Sequence, residues 1–147
     1  EPTSLPEKLI KVNRNIVPYF MEGHFIAAIY FEMDLAQHRL KYASAGINHF
    51  LHITDRRCRV VTVPGMFLGI LEDTIYEQQV LAYTPGDALV FLTDGLFEAL
   101  SGSDLASINS YDTAHQLLHN VISRKGLRDD ATALLCRSSL PANEVTS

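Results

Sequence analysis

The 147-residue chain carries 12 basic and 17 acidic side chains, a formal net charge of −5, and is 47% hydrophobic and 20% charged. That is enough sequence for one globular domain with its own core, so no disulfide staple is required. The acidic balance argues against a non-specific nucleic-acid binder, which displaces counterions with a basic surface.

The charge is uneven. Residues 1–59 hold eight basic and six acidic side chains, whereas residues 60–147 hold four and eleven. The second half is either solvated acidic surface or a set of carboxylates gathered for a cation. Cys58 and Cys136 are the only cysteines. Their separation fits no zinc or thioredoxin-type motif, and two buried thiols in a reducing compartment are expected. No apolar run approaches the ~18 residues of a membrane span, and Glu1-Pro2-Thr3-Ser4 has no positive leader region. The expected location is the cytoplasm.

In chain order, Ser4 and Glu7 form a capping box with Pro6 in the first turn. Leu5, Leu9, Val12 and Ile16 then trace one helical face, and Pro18 ends the helix by Val17. Phe25 to Phe31 is a continuous apolar run of β-formers, expected to be a strand buried on both faces. Leu40 to Ala45 alternates as its hairpin partner. Gly46-Ile47-Asn48 is a turn, Phe50 to Ile53 and Arg59 to Val63 are strands around an Asp55-Arg56-Arg57 turn, and Pro64 to Gly69 breaks the pattern. Glu77 to Tyr83 is strand-like. Thr84-Pro85-Gly86-Asp87 is a turn, with Pro presetting the second position and Gly supplying positive φ at the third. Ala88 to Thr93 is a buried strand stopped by Asp94-Gly95, and Leu96 to Leu100 makes one or two helical turns. Ser101 to Ser110 reads as a loop. Asp112 caps a helix to Arg124 whose apolar face is Ala114, Leu117, Leu118, Val121 and Ile122, with Gly126 after the last turn. Ala131 to Cys136 is a final strand, and residues 141–147 are a frayed tail. The order predicts an α+β domain with antiparallel pairing dominant.

Two acidic features could carry chemistry. Asp94 lies at the end of a buried strand, where a carboxylate can serve a hard divalent cation or simply cap the next helix. Asp129-Asp130 precedes another apolar strand, where adjacent carboxylates repel each other unless a cation or nearby arginines relieve them. If the two strands are neighbours, three carboxylates converge on one rim. His49 and His52 suit a surface or half-buried role. His115 and His119 have the spacing of a zinc-protease pair, but Gln116 stands where the catalytic Glu would follow, so the pair reads as an ordinary helix face.

Seven segments in order carry a resemblance over nearly the whole chain. They are the helix ending near Asn13-Arg14-Asn15, Gly23 to Ala28, Leu40 to Asn48, Gly65-Met66-Phe67-Leu68-Gly69, Tyr83 to Asp87, Leu92 to Ala99, and Asp129-Asp130-Ala131-Thr132. Together they resemble the SpoIIE/RsbU-like branch of the PPM-type metal-dependent protein serine/threonine phosphatases. The resemblance implies a layered α-β-β-α sandwich of mainly antiparallel sheets over residues 1–140. It also implies two Mn²⁺ or Mg²⁺ ions whose water attacks phosphoserine or phosphothreonine. Asp94 and Asp129 are then metal ligands, Asp130 has a supporting role, and Gly95 gives clearance beside the ligand. The implied substrate is a phosphorylated STAS-type anti-sigma-factor antagonist, and a sensor or receiver domain is expected upstream in the same polypeptide.

The chain departs from the family pattern in three ways. The stretch between Asp94 and Asp129 is short for the family. The early strand pair with an Asp-Gly motif and the Gly-His-Gly segment that supply the family's remaining ligands do not precede Glu1, so the sequence is expected to begin after them. Ile47 stands where a His is usual. Three functions therefore stay open: an active phosphatase whose first segment lies outside this sequence, a non-catalytic phosphatase-fold domain that binds a partner in sigma-factor regulation, and an unrelated β-rich binding module.

Overall fold

The computed structural model describes residues 4–20, 23–124 and 130–138. The elements run α1 (Leu5–Ile16), a 3₁₀ turn (Val17–Tyr19), β1 (Ala28–Asp34), β2 (Arg39–Ala45), β3 (His49–Thr54), β4 (Arg57–Thr62), β5 (Gln79–Ala82), β6 (Ala88–Leu92), α2 (Asp94–Glu98), α3 (Gly102–Ser107), α4 (Tyr111–Ser123) and β7 (Ala133–Arg137). They fall into two compact units, residues 1–50 with 61–82 and residues 51–60 with 83–147. The tail from 141 and Gly126 lie outside the described residues. Among the described residues no helix is long and apolar enough to cross a membrane.

The first unit begins as its sequence dictates. The Ser4 side chain accepts from the Glu7 amide while the Glu7 carboxylate accepts from the Ser4 amide at 2.8 Å. The buried face of α1 then runs through Leu5, Leu9 and Asn13, while Val12 is 45% exposed. Apolar spacing alone selected Val12; tertiary contact selected the polar Asn13 instead. Its Nδ2 donates to the carbonyls of Leu71 at 2.7 Å and Glu72 at 3.2 Å, and its Oδ1 accepts from the Gly69 amide at 2.8 Å. A fully buried amide is tolerable only when it is satisfied in this way.

Leu5 and Leu9 pack on Ala43 and Ala45 of β2 together with Leu68 and Tyr76. Burial of each leucine side chain is worth about 1.5–3 kcal/mol. The sheet order is β1-β2-β5, antiparallel, with Ala28 opposite Ala45 and Asp34 opposite Arg39. The expected two-face-buried strand from Phe25 is corrected here. Pairing in β1 starts at Ala28, the strand is an edge, and none of its residues is fully buried. Phe25 lies against Phe67 with ring centroids 4.5 Å apart, and Ile26 exchanges two 3.0 Å backbone hydrogen bonds with Leu68. An apolar run shows that surface will be covered, but not whether strands, helix or loop will cover it. Gly65 is required because a Cβ there would strike the Ser44 carbonyl.

The second unit is built on the sheet order β4-β3-β6-β7. Asp55 and Arg56 both have left-handed φ, 48° and 58°, the conformation a two-residue type I′ hairpin demands. All five residues of β6 are buried, as expected for a strand flanked on both sides. It pairs antiparallel with β7 from Ala88–Arg137 to Leu92–Ala133. The turn before β6 forms as its sequence predicts: Gly86 has φ 98° and the Asp87 amide donates to the Thr84 carbonyl at 3.0 Å.

Two helix assignments change. Residues 102–107 form α3 rather than a loop, because Ser101 and Asp104 make a reciprocal capping box. The cap of α4 is Ser110, paired with Thr113, rather than Asp112. Ala114, Leu118 and Val121 of α4 join the core of Leu51, Ile53, Val90, Leu92 and Leu96, and Leu117 packs at its edge. Ile122 is 41% exposed. Cys58 and Cys136 are free and partly buried. Burial pushes both thiols up, the direction that disfavours the reactive thiolate.

Candidate functional site

Asp94 lies just past the end of β6. The strand stops at Leu92, Thr93 takes the N-cap position with φ −70° and ψ 154°, and Asp94 becomes the first residue of α2. Asp94 is therefore inside the first turn rather than capping it, partly buried, and Gly95 follows as an ordinary helical residue. An acidic side chain in a first helical turn also meets the positive end of the backbone dipoles.

Thr93 makes no side-chain cap bond to its own helix. Its hydroxyl is spent across the sheet. It donates to the Asp130 carbonyl at 3.2 Å and accepts from the Thr132 amide at 3.2 Å, while the Thr93 amide donates to the Thr132 carbonyl at 3.0 Å. The β6–β7 ladder thus continues one step past its last strand pair. The pairing of β6 with β7 places the segment of Asp130 beside the residue that precedes Asp94; this meets the condition that the two strands be neighbours, and no more of the rim expectation than that. Asp130 is exposed. Asp129 lies outside the described residues. Among the described residues no three His, Cys, Asp or Glu side chains gather in a metal-holding group.

The other end of β6 holds a polar pair that sequence reasoning missed. His52 of β3 and Asp87 are both buried, and His52 Nε2 lies 2.8 Å from Asp87 Oδ2. The same carboxylate accepts from the Thr84 amide and the Thr84 hydroxyl, each at 2.9 Å. Burial pushes the Asp87 carboxyl up, but the hydrogen bonds from Thr84, His52 and Thr54 outweigh it and hold the group below the usual Asp range. An ionised Asp87 can only accept, so Nε2 of His52 carries the proton it donates. No local pattern announces a partner 35 residues away; the Thr-Pro-Gly-Asp signal spoke only for the turn. A cleft of about 340 Å³ opens beside this turn, lined by residues that include Asp55, Arg56, Ser110 and Arg137.

The fold and the sequence comparisons define a class. The chain belongs to the Stage II sporulation protein E (SpoIIE) family, whose sequence model matches residues 2–139. It is a SpoIIE/RsbU-like phosphatase domain of the PPM type, with that group's α+β fold. Among curated proteins it is 29% identical over 109 residues to the phosphoserine phosphatase RsbP of Bacillus subtilis, covering 63% of this chain and 25% of RsbP. The chain thus spans about a quarter of that relative's length. Among solved structures, the RsbU and RsbW domains of a Mycobacterium tuberculosis protein superpose with a TM-score of 0.74 at 24% identity, covering 94% of this chain and 43% of that one. The Mn-presoaked phosphatase domain of the cell fate determinant SpoIIE from B. subtilis gives a TM-score of 0.63 at 19% identity, covering 95% and 68%.

Proposed function

We propose that this chain is the larger part of a metal-dependent protein serine/threonine phosphatase of the SpoIIE/RsbU type. It hydrolyses phosphoserine or phosphothreonine on a regulatory protein, a STAS-type anti-sigma-factor antagonist being the proposed substrate. The domain spans residues 1–140 and works in the cytoplasm behind a sensor or receiver domain. The observation that carries the reading is the Thr93 hydroxyl, which ties the segment of Asp130 to the residue preceding Asp94. The relationship to RsbP supplies the phosphoserine chemistry by similarity.

Asp94 and Asp129 are the proposed ligands for Mn²⁺ or Mg²⁺, with Asp130 in support and Gly95 leaving room beside the ligand. The donors suit such ions in kind, since hard cations take carboxylate oxygens. They do not complete a two-metal site by themselves, and the remaining ligands are proposed to come from outside these 147 residues. When bound, the ions lower the pKa of a water and neutralise charge on the phosphoryl oxygens. The protein's own contribution at this rim is positional: Thr93 holds two acidic segments at one sheet end before any ion arrives.

Calorimetric titration of Mn²⁺ into this chain and into Asp94→Asn tests the assignment. Heat that disappears in the variant supports a cation at the rim. In the longer parent protein, the same substitution should abolish Mn²⁺-dependent phosphate release with the fold intact, because it removes charge but little volume. Full activity there would sink the ligand assignment. No Mn²⁺ binding to either form, combined with tight binding of an anti-sigma-factor antagonist and no phosphate release, would favour the non-catalytic partner-binding reading.

A further inference from the structure

The outer face of α4 carries two imidazoles that the phosphatase reading does not use. His115 and His119 are both exposed and lie one turn apart. Their rings are 6.5 Å apart between centroids, with planes 26° from parallel. Tyr111, one turn earlier, stacks on His115 at 6.3 Å and 10°. The opposite face of the helix is anchored by buried Ala114, Leu118 and Val121, and its first turn is held by the Ser110–Thr113 capping box. The backbone presenting the two histidines is therefore fixed before any ligand arrives.

We propose that His115 and His119 form a two-imidazole chelate for a borderline divalent transition-metal ion, Zn²⁺, Ni²⁺ or Cu²⁺. Residues four apart on a helix have Cβ atoms about 5–6 Å from each other. Two imidazoles holding one ion at ~2.0–2.1 Å with a tetrahedral angle bring their ring centres to about 5 Å. The rings now stand 6.5 Å apart, and chelation requires rotation about the exposed side-chain torsions to bring them to that distance. Gln116 follows His115 where a hydrolytic zinc helix carries its general base, so the assigned role is ion binding alone. With two protein donors, water fills the remaining coordination positions. Ligand softness separates this site from the carboxylate rim: imidazole favours Zn²⁺, Ni²⁺ and Cu²⁺, whereas carboxylates suit Mg²⁺ and Mn²⁺. An ion bound to the native helix and not to the unfolded chain also stabilises the unit that contains α4.

The test is a Ni²⁺ titration of the untagged 147-residue protein, followed by calorimetry and by the histidine ring NMR signals. It is run on the wild type, His115→Gln, His119→Gln and Asp94→Asn. The expected result is one equivalent of Ni²⁺ that perturbs the His115 and His119 signals and leaves the other four histidines alone. Affinity should fall about tenfold or more in each histidine variant and stay unchanged in Asp94→Asn. The rise in melting temperature with Ni²⁺ should shrink in His119→Gln. Equal affinity in the wild type and His119→Gln, or perturbation centred on another histidine, overturns the proposal. Both substituted positions are exposed, so the variants should keep the wild-type circular dichroism spectrum.

Discussion

The hydroxyl of Thr93 accepts a hydrogen bond from the backbone amide of Thr132 at 3.2 Å, 39 residues along the chain. The same oxygen donates to the carbonyl of Asp130. One side chain therefore stitches the approach to β7 onto the exit of β6, next to Asp94. Thr93→Val keeps the branched shape and removes both bonds. Because the partners lie near solvent, the expected cost is about 1 kcal/mol. Faster hydrogen exchange at the Thr132 amide should accompany it, and Thr93→Ser should restore both measurements. Unchanged exchange in Thr93→Val would show that the backbone pairing alone holds the segment.

Asn13 makes a second long-range connection, from α1 to the loop at 69–72. Asn13→Ala leaves two backbone carbonyls and an amide of that loop without their partner. The expected destabilisation is about 2–3 kcal/mol, read as a lower urea midpoint with unchanged slope. Asn13→Asp should be worse, since it turns a carboxylate towards two carbonyl oxygens.

Asp87 sets part of the acid response. Its folded-state carboxyl lies below the ordinary Asp value, which is about 3.9. Its contribution is therefore fully present above that value and is lost as pH falls through the folded one. Asp87→Asn should flatten the dependence of unfolding free energy on pH below about pH 4 and leave its slope near neutrality unchanged. Measurements from pH 3 to 6 decide this; identical acid slopes in the two proteins would remove Asp87 from the account.

Phe91 occupies the centre of the second unit's sheet and is 5% exposed, opposite Leu134 of β7. Phe91→Ala should cost roughly 3–5 kcal/mol through lost burial and the cavity left behind. A negligible shift of the unfolding midpoint would mean that burial of Phe91 contributes little to stability.

The sheet end and the helices differ in how far they could be read. Asp94 was legible as an acid at a strand end because Ala88 to Leu92 is uninterrupted by polar residues and Gly95 follows. Its neighbourhood to Asp130 was only a conditional expectation, because pairing of β6 with β7 is a contact across the intervening helices. The helix start expected at Asp112 falls at Tyr111, because the Ser110 side chain and Thr113 complete a reciprocal box that a local reading of Asp112 does not include.

By itself, the sequence determined what local physics determines. Ser4 and Glu7 start α1, Pro85 and Gly86 make the turn into β6, alternating or continuous apolar runs mark the strands, and the ordered motifs mark the family. Tertiary structure alone decided which strand is an edge, why Asn13 rather than Val12 faces inward, and that His52 meets Asp87. It also decided that Thr93 binds the Asp130 segment. Those outcomes depend on groups tens of residues apart, where burial and hydrogen-bond satisfaction are settled only once the whole surface around a side chain is in place.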